Sequence, residues 1–291
     1  MTALPRIDAH QHFWTLSRGD YDWLTPELDP IYRDFQPADL LPLLNAEGID
    51  GTVAVQAAGT VAETEHLLSL AERHHFIRGV VGWVDLASTD AVPTLERLAR
   101  HRAFKAVRPM LQDLPDAAWI ATAPIASAVN AIQRLGLHFD ALVKTPHLPH
   151  LLTFARRHPD LSIVIDHAAK PDMARDEFAT WHALMKPLAA LPQMHCKLSG
   201  LVTEIGPSWH IDTLRPYVNA VLELFGSQRV IWGSDWPVLN LASDYARWGR
   251  TTNALLEGLD EDARAAVLGG NAVRFYRLTG ATSGAGSTGP P

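Results

Sequence analysis

The sequence predicts an α/β protein in which eight parallel strands alternate with helices. Short apolar runs rich in β-branched residues start about every 32 residues, the length of one βα unit. The predicted strands are 6–13, 51–57, 77–84, 104–109, 137–143, 161–167, 195–198 and 229–232. Between them, apolar residues at i, i+3 and i+4 predict amphipathic helices over segments such as 63–74 and 216–225.

Eight such units favour a closed (β/α)8 TIM barrel, regular or distorted, over an open doubly wound sheet. We expect one domain over residues 1–278, because no domain-scale linker interrupts the repeat. Residues 14–37 form a long loop after strand 1, and connections of that length are often functional lids. Residues 279–291 contain only Gly, Ser, Thr, Ala and Pro, which predicts a flexible tail.

Charge and cysteine content narrow the possible partners. The chain has 25 Lys and Arg against 32 Asp and Glu, a formal net charge of −7. This acidic balance disfavours nucleic acid and anionic membranes as partners, since both require a basic surface. The single cysteine, Cys196, excludes an internal disulfide, and no apolar run is long enough to span a bilayer. We therefore expect a protein of a soluble, reducing compartment, the cytoplasm, with its oligomeric state left open.

Histidine and carboxylate side chains gather at the predicted strand ends. His10 and His12 lie two apart on the first strand, so both point to one face, the interior of a barrel. His167 ends the sixth strand and Asp235 follows the eighth. Active sites of TIM barrels lie at the C-terminal strand ends, so these four side chains should converge. They suit either a divalent metal ion such as zinc or a polar clamp on a substrate.

Other strand ends and the aromatic loop supply further candidates. Taken singly, the polar strand-end residues are equally well explained as helix caps or surface ion pairs. The tryptophans are candidates for the walls of a sugar pocket, although most tryptophans pack the interior. These candidates are Arg108, Gln56, Asp140, Lys197, Trp14, Trp23 and Trp236.

Several motifs carry a resemblance to a known family. They are DAHQHFW at 8–14, WL at 23–24, VQ at 55–56, VRP at 107–109, DH at 166–167, KLSG at 197–200 and GSDWP at 233–237. With them the chain resembles the amidohydrolase superfamily over residues 6–278, and within it the branch of sugar-lactone and dicarboxylate-lactone hydrolases.

The resemblance implies that the protein hydrolyses a sugar-derived lactone, such as L-fuconolactone in fucose degradation, to the open sugar acid. Asp235 would activate water, while His10, His12 and His167 would polarise the carbonyl directly or through an ion. Arg108 would stabilise the oxyanion. The expected substrate contacts are Trp14, Trp23, Gln56, Asp140, Lys197 and Trp236.

The same resemblance limits the metal content. Superfamily members with two metals typically carry a bridging Lys or Glu on strand 4 and a His at the end of strand 5. Here strand 4 offers Arg108, with Lys105 only at its start, and strand 5 has no His at its end. At most one ion, held by some of His10, His12, His167 and Asp235, is therefore expected. Related lactonases work without metal, and a lactone carbonyl needs less Lewis-acid help than an amide. We expect zinc to be optional.

Two rival functions stay open from the sequence alone. A metal-dependent decarboxylase of the same superfamily shares the two-histidine strand, the sixth-strand His and the eighth-strand Asp. A catalytically silent barrel that only binds a sugar acid would carry the same residues. Serine hydrolases and zincins are disfavoured because no GxSxG or HExxH motif occurs.

Overall fold

The computed structural model describes residues 4–175 and 177–279. Within them, eight strands form one parallel sheet in sequence order, which confirms the predicted barrel. The strands are β1 Ile7–Gln11, β2 Gly51–Val55, β3 Ile77–Gly82, β4 Phe104–Val107, β5 His138–Ala141, β6 Ile163–Ile165, β7 Met194–Leu198 and β8 Val230–Trp232. Of the predicted tail, residues 280–291 lie outside the described residues.

The barrel closes between β8 and β1 at the C-terminal ends of the strands. Gln11 and Trp236 form a single parallel bridge there. Two backbone hydrogen bonds support it, from the Asp235 amide to the His10 carbonyl (2.8 Å) and from the His12 amide to the Trp236 carbonyl (2.7 Å). Closure therefore depends on the segments that carry three of the four converging candidates.

The helices follow the strands as the sequence predicted. The predicted helix 63–74 corresponds to α2, which starts after Thr60 because the Thr60 hydroxyl accepts a hydrogen bond from the Glu63 amide (3.1 Å). None of the helices that the structure describes is both long and apolar enough to cross a bilayer. The α-helices are α1 Pro37–Glu47, α2 Val61–Arg73, α3 Ala91–Leu98, α4 Trp119–Thr122, α5 Ala126–Arg134, α6 Leu148–Arg157, α7 Phe178–Ala189, α8 Ile211–Phe225, α9 Tyr245–Leu255, α10 Glu261–Ala265 and α11 Asn271–Phe275.

Small apolar side chains and the last helix form a separate apolar cluster. Strand residues such as Val53, Val81 and Ile231 pack in one cluster with Phe275 and Tyr276 at the end of α11. The larger cluster lies among the strands and the surrounding helices. This packing leaves the opposite, C-terminal ends of the strands available for polar groups.

The long loop after β1 is ordered by its aromatic residues. Trp14 and Phe35 pair as an antiparallel bridge, with amide-to-carbonyl distances of 3.1 and 3.0 Å. Between them the chain makes two short 3-10 helices, Leu16–Arg18 and Pro26–Ile31. The indole N–H of Trp23 donates to the Ala57 carbonyl just after β2 (2.8 Å). The loop is thereby fixed to the C-terminal face of the barrel.

Candidate active site

The structure brings the four strand-end candidates together around one carboxylate oxygen. Asp235 Oδ1 lies 3.3 Å from His12 Nε2, 3.7 Å from His10 Nε2 and 3.8 Å from His167 Nε2. All four residues are buried. A barrel built from distant parts of the chain thus places three imidazoles around one acid.

Left-handed backbone aims two of these groups. His167 begins four consecutive residues with positive φ, ending at Lys170, and Asp235 also has a φ of 62°. Non-glycine residues adopt this conformation at a cost of about 1–3 kcal/mol, and such residues concentrate at functional sites. The backbone strain is therefore consistent with turns whose role is to place the His167 and Asp235 side chains.

Asp8 fixes the segment that carries Asp235. Its carboxylate accepts hydrogen bonds from the Ser234 amide (2.8 Å), the Ser234 hydroxyl (2.6 Å) and the Tyr245 hydroxyl (2.8 Å). Burial raises the pKa of Asp8 to about 6, although these hydrogen bonds oppose the shift. One buried carboxyl on β1 therefore orients the segment after β8 that carries Asp235.

Burial also sets the charge of the cluster. It lowers the pKa of His10 and His12, and it lowers the pKa of His167 to about 4. Burial acts against ionisation of Asp235, but the neighbouring His167, His12 and His10 outweigh it and hold the pKa of that carboxyl below its usual range. At neutral pH the site is an ionised carboxylate among neutral imidazoles.

Hydrogen bonds at the far side of the rings set the tautomers of His12 and His10. His12 Nδ1 donates to the Val55 carbonyl (2.8 Å), so its Nε2 lone pair faces Asp235. His167 Nδ1 contacts the Ser199 hydroxyl (2.9 Å). His10 Nδ1 lies 3.1 Å from the ammonium of Lys197, which can only donate, so neutral His10 carries its proton on Nε2.

The donor set fits one divalent ion. The ligand atoms of His10, His12 and Asp235 lie within 4.8 Å of one another. The His12 lone pair and the Asp235 carboxylate face each other across a gap that favours a bridging cation or proton. His10 Nε2 is buried with no hydrogen-bond partner among the described residues. To act as a neutral ligand, His10 would carry its proton on Nδ1 instead, where Asp166 Oδ1, 3.5 Å away, would accept the hydrogen bond.

A buried ionic network lies behind the histidines. The Lys197 ammonium contacts Asp140 Oδ2 (2.5 Å) and Asp166 Oδ1 (3.0 Å), and all three side chains are fully buried. The Tyr276 hydroxyl also donates to Asp140 (2.7 Å). Asp140 and Lys197, predicted to contact sugar hydroxyls, are both fully buried and are not among the residues that line the cleft described below. They position His10 instead.

Arg108 is a buried cation with a free donor. It is 3% exposed, and its Nη1 lies 3.4 Å from Asp166 Oδ2. Its Nη2 donates to the Gln56 carbonyl, while the Gln56 side chain donates back to the Arg108 carbonyl (2.7 Å). Nε has no partner within the described part of the chain. Gln56, expected to contact substrate, is fully buried and holds the arginine instead.

His12, Arg108, His167 and Asp235 line a cleft of 180 Å³, a size that suits one monosaccharide-sized ligand. Trp23 is the one predicted aromatic wall that lines it. Trp14 is buried and supports Trp23 edge to face at 5.5 Å, and Trp236 is buried against Phe35 at 5.2 Å. Trp14 and Trp236, also predicted to contact substrate, are not among the residues that line this cleft, and their rings pack against the loop after β1.

Several cleft residues were missed from sequence. Met110, Gln112 and Asp113 come from the segment after β4, and Lys170 ends the left-handed turn after β6. Lys170 lies 3.9 Å from Glu204 and remains partly exposed to the cleft. Its position three residues past the predicted strand 161–167 was a usable signal. The left-handed turn that orients it could not be predicted, because the turn contains two alanines.

Comparison with known proteins identifies the family. A family model described as Amidohydrolase matches residues 7–278. The chain belongs to the amidohydrolase family. It is 52% identical over 279 residues to an L-fucono-1,5-lactonase of Burkholderia ambifaria, covering 94% of this chain and 96% of that protein. The family predicted from the motifs is confirmed.

Two further relatives extend the comparison. The chain is 38% identical over 289 residues to an L-fucono-1,5-lactonase of Burkholderia multivorans, covering 94% of this chain and 96% of that protein. A crystal structure of an amidohydrolase from Burkholderia multivorans with bound zinc has a TM-score of 0.88 and 37% identity, covering 94% of this chain and 100% of that one.

Gly200 allows His167 and Asp235 to approach β7. Its φ is 64°, and a Cβ there would lie 2.4 Å from His167 Nδ1 and 3.1 Å from Asp235 Oδ2. We expect Gly200→Ala to displace both groups and to lower kcat about 100-fold, since small misplacements of catalytic groups are costly. Gly258→Ala, at a glycine with open space around it, is the control. Wild-type kcat for Gly200→Ala would contradict this role.

Proposed function

We propose that the protein is a lactonase that hydrolyses L-fucono-1,5-lactone or a closely similar sugar lactone to the open sugar acid. The observation that carries the proposal is the ionised Asp235 surrounded by three neutral imidazoles beside the free donor of Arg108. The names of the relatives at 52% and 38% identity support the same substrate. The site draws on β1, β4, β6 and β8, so we propose residues 1–278 as one catalytic domain.

Hydrolysis requires one base and one place for the oxyanion. Asp235 takes a proton from water as the water oxygen bonds to the lactone carbonyl carbon. The C–O bond to the ring oxygen then breaks, and Asp235 returns the proton to that oxygen, which leaves as a hydroxyl group. The product is a hydroxy acid that ionises at neutral pH.

The negative charge that develops on the carbonyl oxygen needs donors already in place. Arg108 offers its unpartnered Nε–H from the floor of the cleft, where burial strengthens the interaction. His10, with its proton on Nε2, presents a second N–H to the same cluster. Both donors are held rigidly by buried partners, so little reorganisation accompanies the reaction.

Lys170 and Trp23 are the proposed substrate contacts at the cleft rim. The ammonium of Lys170 suits sugar hydroxyls and the product carboxylate, while the indole face of Trp23 suits the apolar C–H face of a sugar ring. The acidic Glu204 near Lys170 limits how strongly the product is held. Arg108 and Lys170 then bind opposite ends of one ligand.

A divalent ion, when bound, would be held by His10, His12 and Asp235 and would supply Lewis-acid polarisation. We propose that this assistance is not essential. A lactone is more electrophilic than an amide, and Arg108 already supplies a buried positive charge near the reacting carbonyl.

Lactone opening by the purified full chain tests the function. A pH-indicator assay with L-fucono-1,5-lactone and a panel of other aldonolactones should show acid release well above the buffer rate. Asp235→Asn should lower kcat about 10²- to 10⁴-fold, the usual contribution of a general base. Asp212→Asn, at a surface carboxylate on α8, should leave kcat unchanged.

Three results would overturn this function. The first is that no lactone in the panel opens faster than in buffer. The second is release of CO₂ from an aromatic acid without lactone turnover, as a decarboxylase requires. The third is sugar-acid binding that Asp235→Asn leaves intact in a protein without turnover, which would indicate a silent binding barrel.

The pH dependence follows from the lowered pKa values. Because the pKa of His167 is about 4, its ring stays neutral as pH falls from 8 through 6.5, the range in which an ordinary histidine gains its proton. We expect kcat/KM to stay flat down to about pH 5 and to fall below it, as protonated His167 pairs with the base. An acidic limb centred near pH 6.5 would contradict this assignment.

Metal removal separates an optional ion from a required one. After dialysis against a chelator, with metal content checked by atomic emission, we expect most of the kcat for lactone opening to remain. Adding zinc back should change kcat less than about twofold, since the charge of Arg108 is unaffected. Loss of activity to the buffer rate, restored by zinc, would show that the ion is essential.

A further inference from the structure

We propose that the N-terminal end of the barrel carries a binding site for a phosphate group, formed by Arg102, Lys105, Arg277 and His138. The site is a cavity of 150 Å³ where β4 and β5 begin. It lies at the end of the barrel opposite the active-site cleft, and none of its residues takes part in the proposed hydrolysis.

The cavity concentrates positive charge in an acidic protein. Three of its lining residues are basic, two arginines and one lysine, and none of the described residues that line it carries a carboxylate. Lys105 is half-buried, and its burial together with Arg102 and Arg277 lowers the pKa of its ammonium. Grouping like charges without a counterion costs free energy, which a bound anion would offset.

His138 supplies a donor that lacks an acceptor. It is 5% exposed, and neither ring nitrogen has a hydrogen-bond partner among the described residues. Its ring packs on Phe275 at 4.7 Å. Burial, assisted by Arg277, lowers the pKa of His138 to about 4, so the neutral ring has one N–H to donate. An unpaired buried donor is unfavourable, and an anion in the cavity would accept its hydrogen bond.

The backbone leaves room for the Arg277 guanidinium. Gly136, just before β5, has a φ of 67°, and a Cβ there would lie 2.8 Å from Arg277 Nη1. Arg277 itself has a φ of 49°, and Lys105 Nζ donates to its carbonyl at 3.5 Å. A glycine and a left-handed arginine together bring this cation to the cavity edge.

Size and charge select the ligand class. A phosphate group has several acceptor oxygens and nearly two negative charges at neutral pH, which match three cations and the planar fork of arginine. A neighbouring cleft of 650 Å³ shares Arg102 and is also lined by Arg78, Arg100 and apolar side chains. Its one acidic lining residue among those described, Glu72, lies 3.3 Å from the His101 ring. The phosphate group can therefore be free or belong to a small monoester whose body extends into this cleft.

Calorimetric titration of the full chain with inorganic phosphate, at ionic strength held constant with sodium chloride, tests the site. Saturable 1:1 binding is expected. Arg102→Gln and Arg277→Gln should each weaken it about tenfold, the value of one charge-assisted contact. Arg250→Gln removes the same charge at an exposed position on α9. This variant is the matched control and should bind phosphate as the wild type does. A parallel titration with glycerol 1-phosphate separates the two ligand sources, since a monoester site binds it more tightly.

The location is tested independently of stability. The ring ¹⁵N signals of His138 should move on phosphate addition, and His138→Phe, which keeps the packing on Phe275, should weaken binding. Absence of saturable heat in the millimolar range would overturn the proposal. So would equal binding by Arg277→Gln and wild type, or competitive inhibition of lactone opening by phosphate that Arg277→Gln does not change, because either result places the anion elsewhere.

Discussion

The carboxyl of Asp8 is the point on which the active site depends. It is fully buried on β1, and it holds Ser234 by both amide and hydroxyl while also accepting from Tyr245 on α9. The next residue after Ser234 is Asp235, so the same interaction closes the barrel and orients the base. Removing one partner of such a buried hydrogen-bonded group costs about 1–3 kcal/mol, and here it would also release the catalytic segment.

A second layer of polar groups fixes the histidines from behind. Tyr276 at the end of α11 donates to Asp140, Asp140 pairs with Lys197, and Lys197 contacts His10 Nδ1. Asp166 joins this layer and also pairs with Arg108. Inside the barrel the positive charges of Lys197 and Arg108 are thus balanced by two carboxylates. Removing one partner of a buried pair leaves an uncompensated charge, at a cost of about 3–5 kcal/mol. Tyr276, which follows the last helix at the N-terminal end of the barrel, therefore contributes to the position of His10 among the active-site residues.

The fold could be predicted from sequence because the strand signal is periodic and local. Convergence of His10, His12, His167 and Asp235 followed from the rule that barrels gather chemistry at one end of their strands. The depth at which each polar side chain is buried could not be predicted in the same way. Lys197 and Asp140 look like strand-end polar groups, but only the register of β5 and β7 shows that they face the interior.

The aromatic residues show the same limit. The sequence alone does not distinguish the roles of the three tryptophans after β1 and β8. In the folded loop Trp23 lines the cleft, whereas Trp14 and Trp236 pack beneath the loop. The positive φ angles from His167 to Lys170 were also invisible, because alanines at positions 168 and 169 give no hint of a left-handed turn.

The left-handed turn after β6 couples the position of a side chain at the reacting centre to the position of a side chain that contacts the rest of the ligand. Enzymes often vary these two positions separately. His167 at its start faces the reacting centre, and Lys170 at its end reaches the rim that meets the rest of the ligand. Four strained residues leave no slack for an insertion or deletion between them. Substrate range in this scaffold is therefore more readily diversified through the length of the loop after β1 than through the segment after β6, where only side-chain exchange at the rim preserves the geometry of the histidine.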